Sequence, residues 1–209
     1  MITVFAINNS GLVVLTIAIV IISILVFLLI VRSVILENRK NKEERLNRVE
    51  GMRDKGEFLT DISYYISKYR DDGSFTLVMV SLENMDDFIE TFGRKESNRL
   101  TPKVAERLKQ VIPITAITSR FSYDRFVIFI KHEKDNTSIT QMCNDIIDTL
   151  RQPMNLYGEN SFELQLSVAA TIYPLHSTKV KGLLENLDMA TYVARKQGYN
   201  NFVVYSQNI

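Results

Sequence analysis

Few side chains in this 209-residue sequence are placed to do chemistry on their own. The single cysteine, Cys143, excludes an intrachain disulfide framework and a thiolate zinc cage. Two histidines, His132 and His176, leave little material for a His-rich metal site. Cys143 falls on an apolar stripe with Ile139, Met142, Ile146, Ile147 and Leu150, so it reads as a buried structural thiol and suits a reducing compartment. Asp124 and Arg125 sit in Ser122-Tyr123-Asp124-Arg125, a tight turn between two short apolar runs, and read by themselves as a solvated hairpin tip. The charge balance, 25 Lys and Arg against 24 Asp and Glu, excludes a strongly basic nucleic-acid binder and an acidic disordered chain.

The elements that must position these residues alternate. Helices are expected over 58–69, 97–111, 139–150 and 180–194, from apolar residues three and four apart; Pro102 is read as lying in the first turn of the second. Phe75 to Leu82 is short and apolar on both faces, so it reads as a buried strand. Strands are also expected over 117–121, 126–130, 164–172 and 202–205. The order is read as α-β-α-α-β-β-α-β-α-β, one helix more than these ranges, and describes an α/β sandwich with a mostly antiparallel sheet.

Ahead of that domain stands a different kind of segment. Every charged side chain lies from Arg32 onward, and residues 12–31 are apolar and uninterrupted. About 20 such residues cross the roughly 30 Å hydrocarbon layer as a helix. A signal peptide would need a basic flank before a shorter apolar run, and here the basic residues (Arg32, Arg39, Lys40, Lys42, Arg45) follow it. The positive-inside rule then places the N-terminus outside and the remainder in the cytoplasm of a bacterial inner membrane. The expected organisation is a short non-cytoplasmic N-terminus (1–11), too small to fold alone, a transmembrane helix (12–31), a charged connector helix (32–49) and one soluble domain (50–209). Leu36, Leu46, Val49 and Met52 form a sparse apolar seam along the connector. It reads either as a solvated stalk or as a short parallel coiled coil that makes a homodimer.

Four stretches in order resemble the GGDEF (diguanylate cyclase) family, over about residues 47–205. The family's D-x-L-T-G-L-P-N-R-x-x-F is matched by N-R-V-E-G-M-R-D-K-G-E-F from Asn47 to Phe58. Its D-I-D-x-F-K-x-x-N-D-x-x-G-H-x-x-G-D is matched by S-L-E-N-M-D-D-F-I-E-T-F-G-R-K-E-S-N from Ser81 to Asn98. The signature R-x-G-G-D-E-F is matched by R-F-S-Y-D-R-F from Arg120 to Phe126. The C-terminal S-x-G, Y-P and A-D-x-A-x-Y-x-A-K-x-x-G-R-N are matched by Ser167 to Ala169, Tyr173-Pro174 and Leu187 to Asn200, the most specific of the four blocks. The resemblance implies a nucleotidyl-cyclase-like α/β sandwich. It implies a family activity, the joining of two GTP into cyclic di-GMP across a dimer with divalent metal.

The same alignment implies that the site is altered. The metal-binding aspartate is matched by Ser81, the phosphate-contacting lysine by Asp86, and the two guanine-reading positions by Ile89 and Asn98. In the hairpin the two glycines are Ser122 and Tyr123, one acid is kept as Asp124, and the next is Arg125. A second phosphate-contacting lysine is matched by Arg195, and the arginine that follows the glycine by Tyr199. Asp124 with Glu83 is the one pair left that could hold a metal, weakly. The swapped charges of Asp86 and Arg125 suggest that these two pair across the emptied site. The family's product-inhibition R-x-x-D falls on Pro113 to Ala116, where neither charge is present. The expectation is therefore a pseudoenzyme with no cofactor, no metal site and no nucleic-acid partner. Its role is read as interaction, regulation or scaffolding of protein partners in a membrane-associated system, such as exopolysaccharide, biofilm or motility machinery. A hydrophobic tip of Phe121, Tyr123 and Phe126 with Arg125, or Tyr199 beside the old pocket, is the candidate anchor; core packing remains the default reading for Phe126 and Phe121. Two other classes stay open: a receptor for GTP or cyclic di-GMP without turnover, and a residual diguanylate cyclase.

Overall fold

A computed structural model describes residues 9–46, 51–70, 72–131, 139–157 and 160–207. The expectations for the tail over 1–8, for Asn47 and Val49, for the junction at 49/50 and for His132 lie outside the described residues. The chain forms two compact units, residues 1–45 and 46–209.

The first unit is one helix, α1 (Asn9–Leu46), which runs 38 residues without a break. The stretch Val14–Glu37 within it, 24 residues, is long and apolar enough to cross a membrane. No Gly or Pro interrupts the passage from this stretch into the charged connector, so both are one helix.

The second unit begins with α2 (Lys55–Lys68). Its N-cap is Asp54, whose carboxylate accepts from the Glu57 N–H at 2.8 Å and satisfies a donor the helix leaves free. Next come β1 (Phe75–Leu82), α3 (Met85–Phe92), α4 (Arg94–Val111), β2 (Ile117–Arg120), β3 (Arg125–Lys131) and α5 (Ile139–Leu150). Two short strands follow, β4 (Met154–Tyr157) and β5 (Asn160–Phe162), and then β6 (Leu166–Tyr173), α6 (Val180–Gln197) and β7 (Asn201–Val204). The main sheet has the order β2-β3-β1-β6-β7. Within it β1 is antiparallel to both β3 and β6, β2 is antiparallel to β3, and β7 alone lies parallel, to β6.

All eight residues of the central strand β1 are buried, because helices cover both faces. On one face Val78, Val80, Phe126, Ile128 and Val168 pack with Leu100, Val104 and Leu108 of α4 and Cys143, Ile146 and Leu150 of α5. On the other, Phe75, Leu77, Met79, Val127 and Phe129 pack with Phe58 and Ile62 of α2 and Leu183, Leu187 and Ala190 of α6. Each fully buried large apolar side chain contributes roughly 1.5–3 kcal/mol. Cys143 is buried on its stripe, and burial pushes its thiol up to about 12.

Two readings change. Helix α4 starts at Arg94, so Pro102 lies in its interior and not in its first turn. Pro102 is on the exposed face, where water can satisfy the Asn98 carbonyl that loses its N–H partner. The β4–β5 hairpin, paired only with itself, was not expected from periodicity.

Candidate functional site

Most of the matched motif residues meet at one end of the sheet, where Ser81, Arg125 and Ser167 are in register and Asp86 and Arg195 make contact, whereas the matched Tyr173-Pro174 lies at the other end. Strand β1 ends at Leu82, whose N–H donates to the Asp124 carbonyl at 2.8 Å, so the strand end is tied to the β2–β3 hairpin tip. Asn84 follows, with Nδ2 donating to the Glu163 carbonyl at 2.9 Å and Oδ1 accepting from the Gln165 N–H at 3.0 Å. That pair of bonds fixes the loop before β6 against the start of α3. Beyond α6, Gly198 has φ +117°, a conformation that L side chains rarely adopt, and Asn200 has φ +58°. Asn200 Oδ1 accepts from the Leu166 N–H at 3.1 Å, and the Asn200 N–H donates to the Leu166 carbonyl at 2.7 Å. The turn thus brings the end of α6 to the same sheet end.

Arg120 builds the hairpin from inside. It is buried, with Nε donating to the Ser122 carbonyl at 3.0 Å and Nη2 to the Tyr123 carbonyl at 3.1 Å. Burial lowers its guanidinium to about 10, against the opposing pull of Asp124. The Asp124 carboxylate accepts from the Ser122 hydroxyl.

Three contacts then cross from element to element. The Tyr123 hydroxyl donates to Asp86 Oδ1 in the first turn of α3 at 2.7 Å. This bond, followed by burial, raises the phenol to about 12. Arg125 Nη1 meets Asp188 Oδ1 of α6 at 2.9 Å. Arg195 grips Glu83 with both edges of a fork, Nε to Oε2 at 2.6 Å and Nη2 to Oε1 at 3.2 Å. The Glu83 side chain is 7% exposed, so this carboxylate is the most enclosed charge of the group.

The expected pairing of Asp86 with Arg125 is therefore not the one formed: each has another partner. The hairpin presents Tyr123 to α3 and Arg125 to α6. Ser81 is buried at the end of β1, in register with Arg125 and Ser167, and its hydroxyl has no hydrogen-bond partner among the described residues. Ile89 is half-buried on α3, Asn98 is exposed on α4, and Tyr199 is exposed after α6. Phe121 is not a free anchor. It is half-buried, lies edge-on to Phe58 at 5.6 Å and carries Lys55 Nζ at 4.9 Å over its ring.

Asp124 and Glu83, the pair left for a metal, are engaged by Ser122 and Arg195. Among the described residues no group of three His, Cys, Asp or Glu side chains could hold a metal ion. Asp188 and the binding role of Glu83 were missed from sequence. The signal was present in Asp188 and Arg195, seven residues apart and so on one face of a helix.

The comparisons agree with this fold. A family profile described as diguanylate cyclase, GGDEF domain, matches residues 51–201. The chain belongs to the GGDEF family. Its α/β sandwich is that of solved GGDEF domains, and the family's signalling currency is cyclic di-GMP. The GGDEF domain of TpbB from Pseudomonas aeruginosa superposes with a TM-score of 0.69 at 16% identity, covering 75% of this chain and 92% of that one. The diguanylate cyclase SiaD of Pseudomonas aeruginosa, solved in complex with its activator SiaC, gives 0.68 at 15% identity, covering 94% of this chain and 74% of SiaD. In sequence, the chain is 22% identical over 140 residues to the bifunctional diguanylate cyclase/cyclic di-GMP phosphodiesterase MucR of Pseudomonas aeruginosa. That match takes in 67% of this chain and 20% of MucR, so the GGDEF chain spans about a fifth of this curated relative.

Proposed function

We propose that this GGDEF domain is a membrane-anchored, non-catalytic component that works by interaction with protein partners in cyclic di-GMP signalling. One observation carries the reading: the charges at the cleft are committed to each other. Glu83 holds Arg195, Asp188 holds Arg125, and Asp86 accepts from Tyr123. A magnesium–triphosphate needs hard oxygen donors for the metal and cations for the phosphates. Here Ser81 is neutral, Arg125 stands beside the site for a cation, and Asp86 beside the site for an anion. One misplaced charge about 4 Å from a phosphate opposes binding by about 4 kcal/mol at an effective dielectric of 20. Neither side of the donor set fits the ligand.

The anchor reading rests on Val14–Glu37 and on the basic residues that follow it, which favour an outside N-terminus and a cytoplasmic domain at the bacterial inner membrane. The partner reading is supported by the SiaD fold, which takes a protein activator. Exopolysaccharide, biofilm or motility machinery is the setting proposed, and the connector helix is the place proposed for a homodimer. Purified full-length chain incubated with GTP and Mg²⁺ or Mn²⁺ should form no cyclic di-GMP, and calorimetry should give no saturable heat with either nucleotide at micromolar ligand. Product formation would reinstate a cyclase; heat without product would make the chain a receptor.

A further inference from the structure

We infer that the GGDEF domain closes its own cleft: Tyr123, Arg125 and Arg195 bolt the hairpin, α3 and α6 together through Asp86, Asp188 and Glu83. Each contact joins a different pair of elements. Tyr123 to Asp86 ties the hairpin tip to α3 at 2.7 Å. Arg125 to Asp188 ties the foot of the same hairpin to α6 at 2.9 Å. Glu83 to Arg195 ties the end of β1 to α6 through a two-point fork. The three bonds make a circuit, with the hairpin held on two sides and α6 held at two points seven residues apart.

The physical argument is one of substitution. A guanidinium fork matches a carboxylate as well as it matches a phosphate. Glu83, nearly enclosed, offers Arg195 an internal anion that is always at hand, so an external anion competes against an intramolecular partner. Arg125 does the same for Asp188 with an internal cation. The phenol of Tyr123 completes the circuit by donating to Asp86. Arg120 makes the closure specific, because it holds the carbonyls of Ser122 and Tyr123 and so sets where the phenol points. The result is a rigid face where an open cleft would be mobile. The inference deepens the reading above and rests on the same three contacts, adding what they do to the local opening of this end of the sheet.

Hydrogen–deuterium exchange on the full-length chain in detergent tests it. The Tyr123→Phe and Asp188→Asn double variant removes two bolts while leaving every apolar contact in place. Amides of 121–125 and of the first turn of α3 should exchange about three- to tenfold faster, the effect of losing one or two exposed hydrogen bonds on local opening. Amides of α5, which takes part in none of the three contacts, should not change. Glu83→Gln should raise exchange at 198–200 in the same range, and Glu83→Asp, which keeps the charge, should restore part of the protection. Unchanged exchange at the hairpin in the double variant, with the fold intact by circular dichroism, would overturn the closure. The assay for cyclic di-GMP is a separate reading, so closure can fail while the absence of turnover stands.

Discussion

Tyr123 stands in a turn where glycine would leave the cleft open, and its hydroxyl makes the difference measurable. Its phenol is raised to about 12, first because the Asp86 carboxylate accepts a hydrogen bond from the protonated hydroxyl and then by partial burial. A raised folded value means that the bond's stabilisation is fully present below about 10, the ordinary tyrosine range, and is lost as pH climbs through about 12. The difference in tyrosinate absorbance between wild type and Tyr123→Phe should therefore titrate near 12. In an Asp86→Ala background the same difference should fall toward 10, because the acceptor has gone. A wild-type difference that already titrates near 10 would mean that the phenol does not reach α3.

At the scale of elements, the long periodic pieces were legible and the cross-links were not. Strand β1 and helix α5 carry the ends expected of them, because an apolar run of eight and a clean stripe leave no other register. The β4–β5 hairpin was missed because strands of four and three residues are too short to show a period, and they pair only with each other. Helix α4 begins early because Gly93 opens it without a side-chain cap, so no Ser, Asp or Asn marked the start. At the site, residue types could be read position by position, whereas partners 63 and 112 residues apart could not. Charge complementarity alone favoured Asp86 with Arg125; hairpin geometry chose otherwise. Arg107 of α4 shows the same limit. Its guanidinium caps the end of α5, with Nη2 donating to the Pro153 carbonyl at 2.8 Å and Nη1 to the Thr149 carbonyl at 3.3 Å and to that of Gln152, partners 42 to 46 residues away. Arg107→Ala leaves those carbonyls to water and loosens α5 from α4, at a cost of about 1–2 kcal/mol. Chemical denaturation of the full chain should show that loss, and Arg107→Lys should recover less than half, since an ammonium cannot span three acceptors in one plane.

At the scale of the whole molecule, the proposed membrane anchor sets the apolar helix apart from the α/β domain. The domain carries two apolar cores of its own, one on each face of the sheet. The side chains of α1 from Val14 to Leu29 are all exposed. In water that surface is untenable, and in hydrocarbon it is favourable. The Leu, Ile, Val and Phe side chains of 12–31 sum to roughly −5 to −10 kcal/mol of insertion free energy. One lysine near the middle costs about 3 kcal/mol and would not reverse that sum. Three lysines, in Ile19→Lys, Ile22→Lys and Val26→Lys, cost about 9 kcal/mol and should tip the balance. Wild-type chain should stay with membranes through alkaline carbonate extraction, and the single variant Ile22→Lys should stay as well. The triple variant should leave them, while the melting transition of the domain is unchanged because both cores are intact. Carbonate release of the wild type would remove the anchor, and with it the reason to place the domain's partners at a membrane.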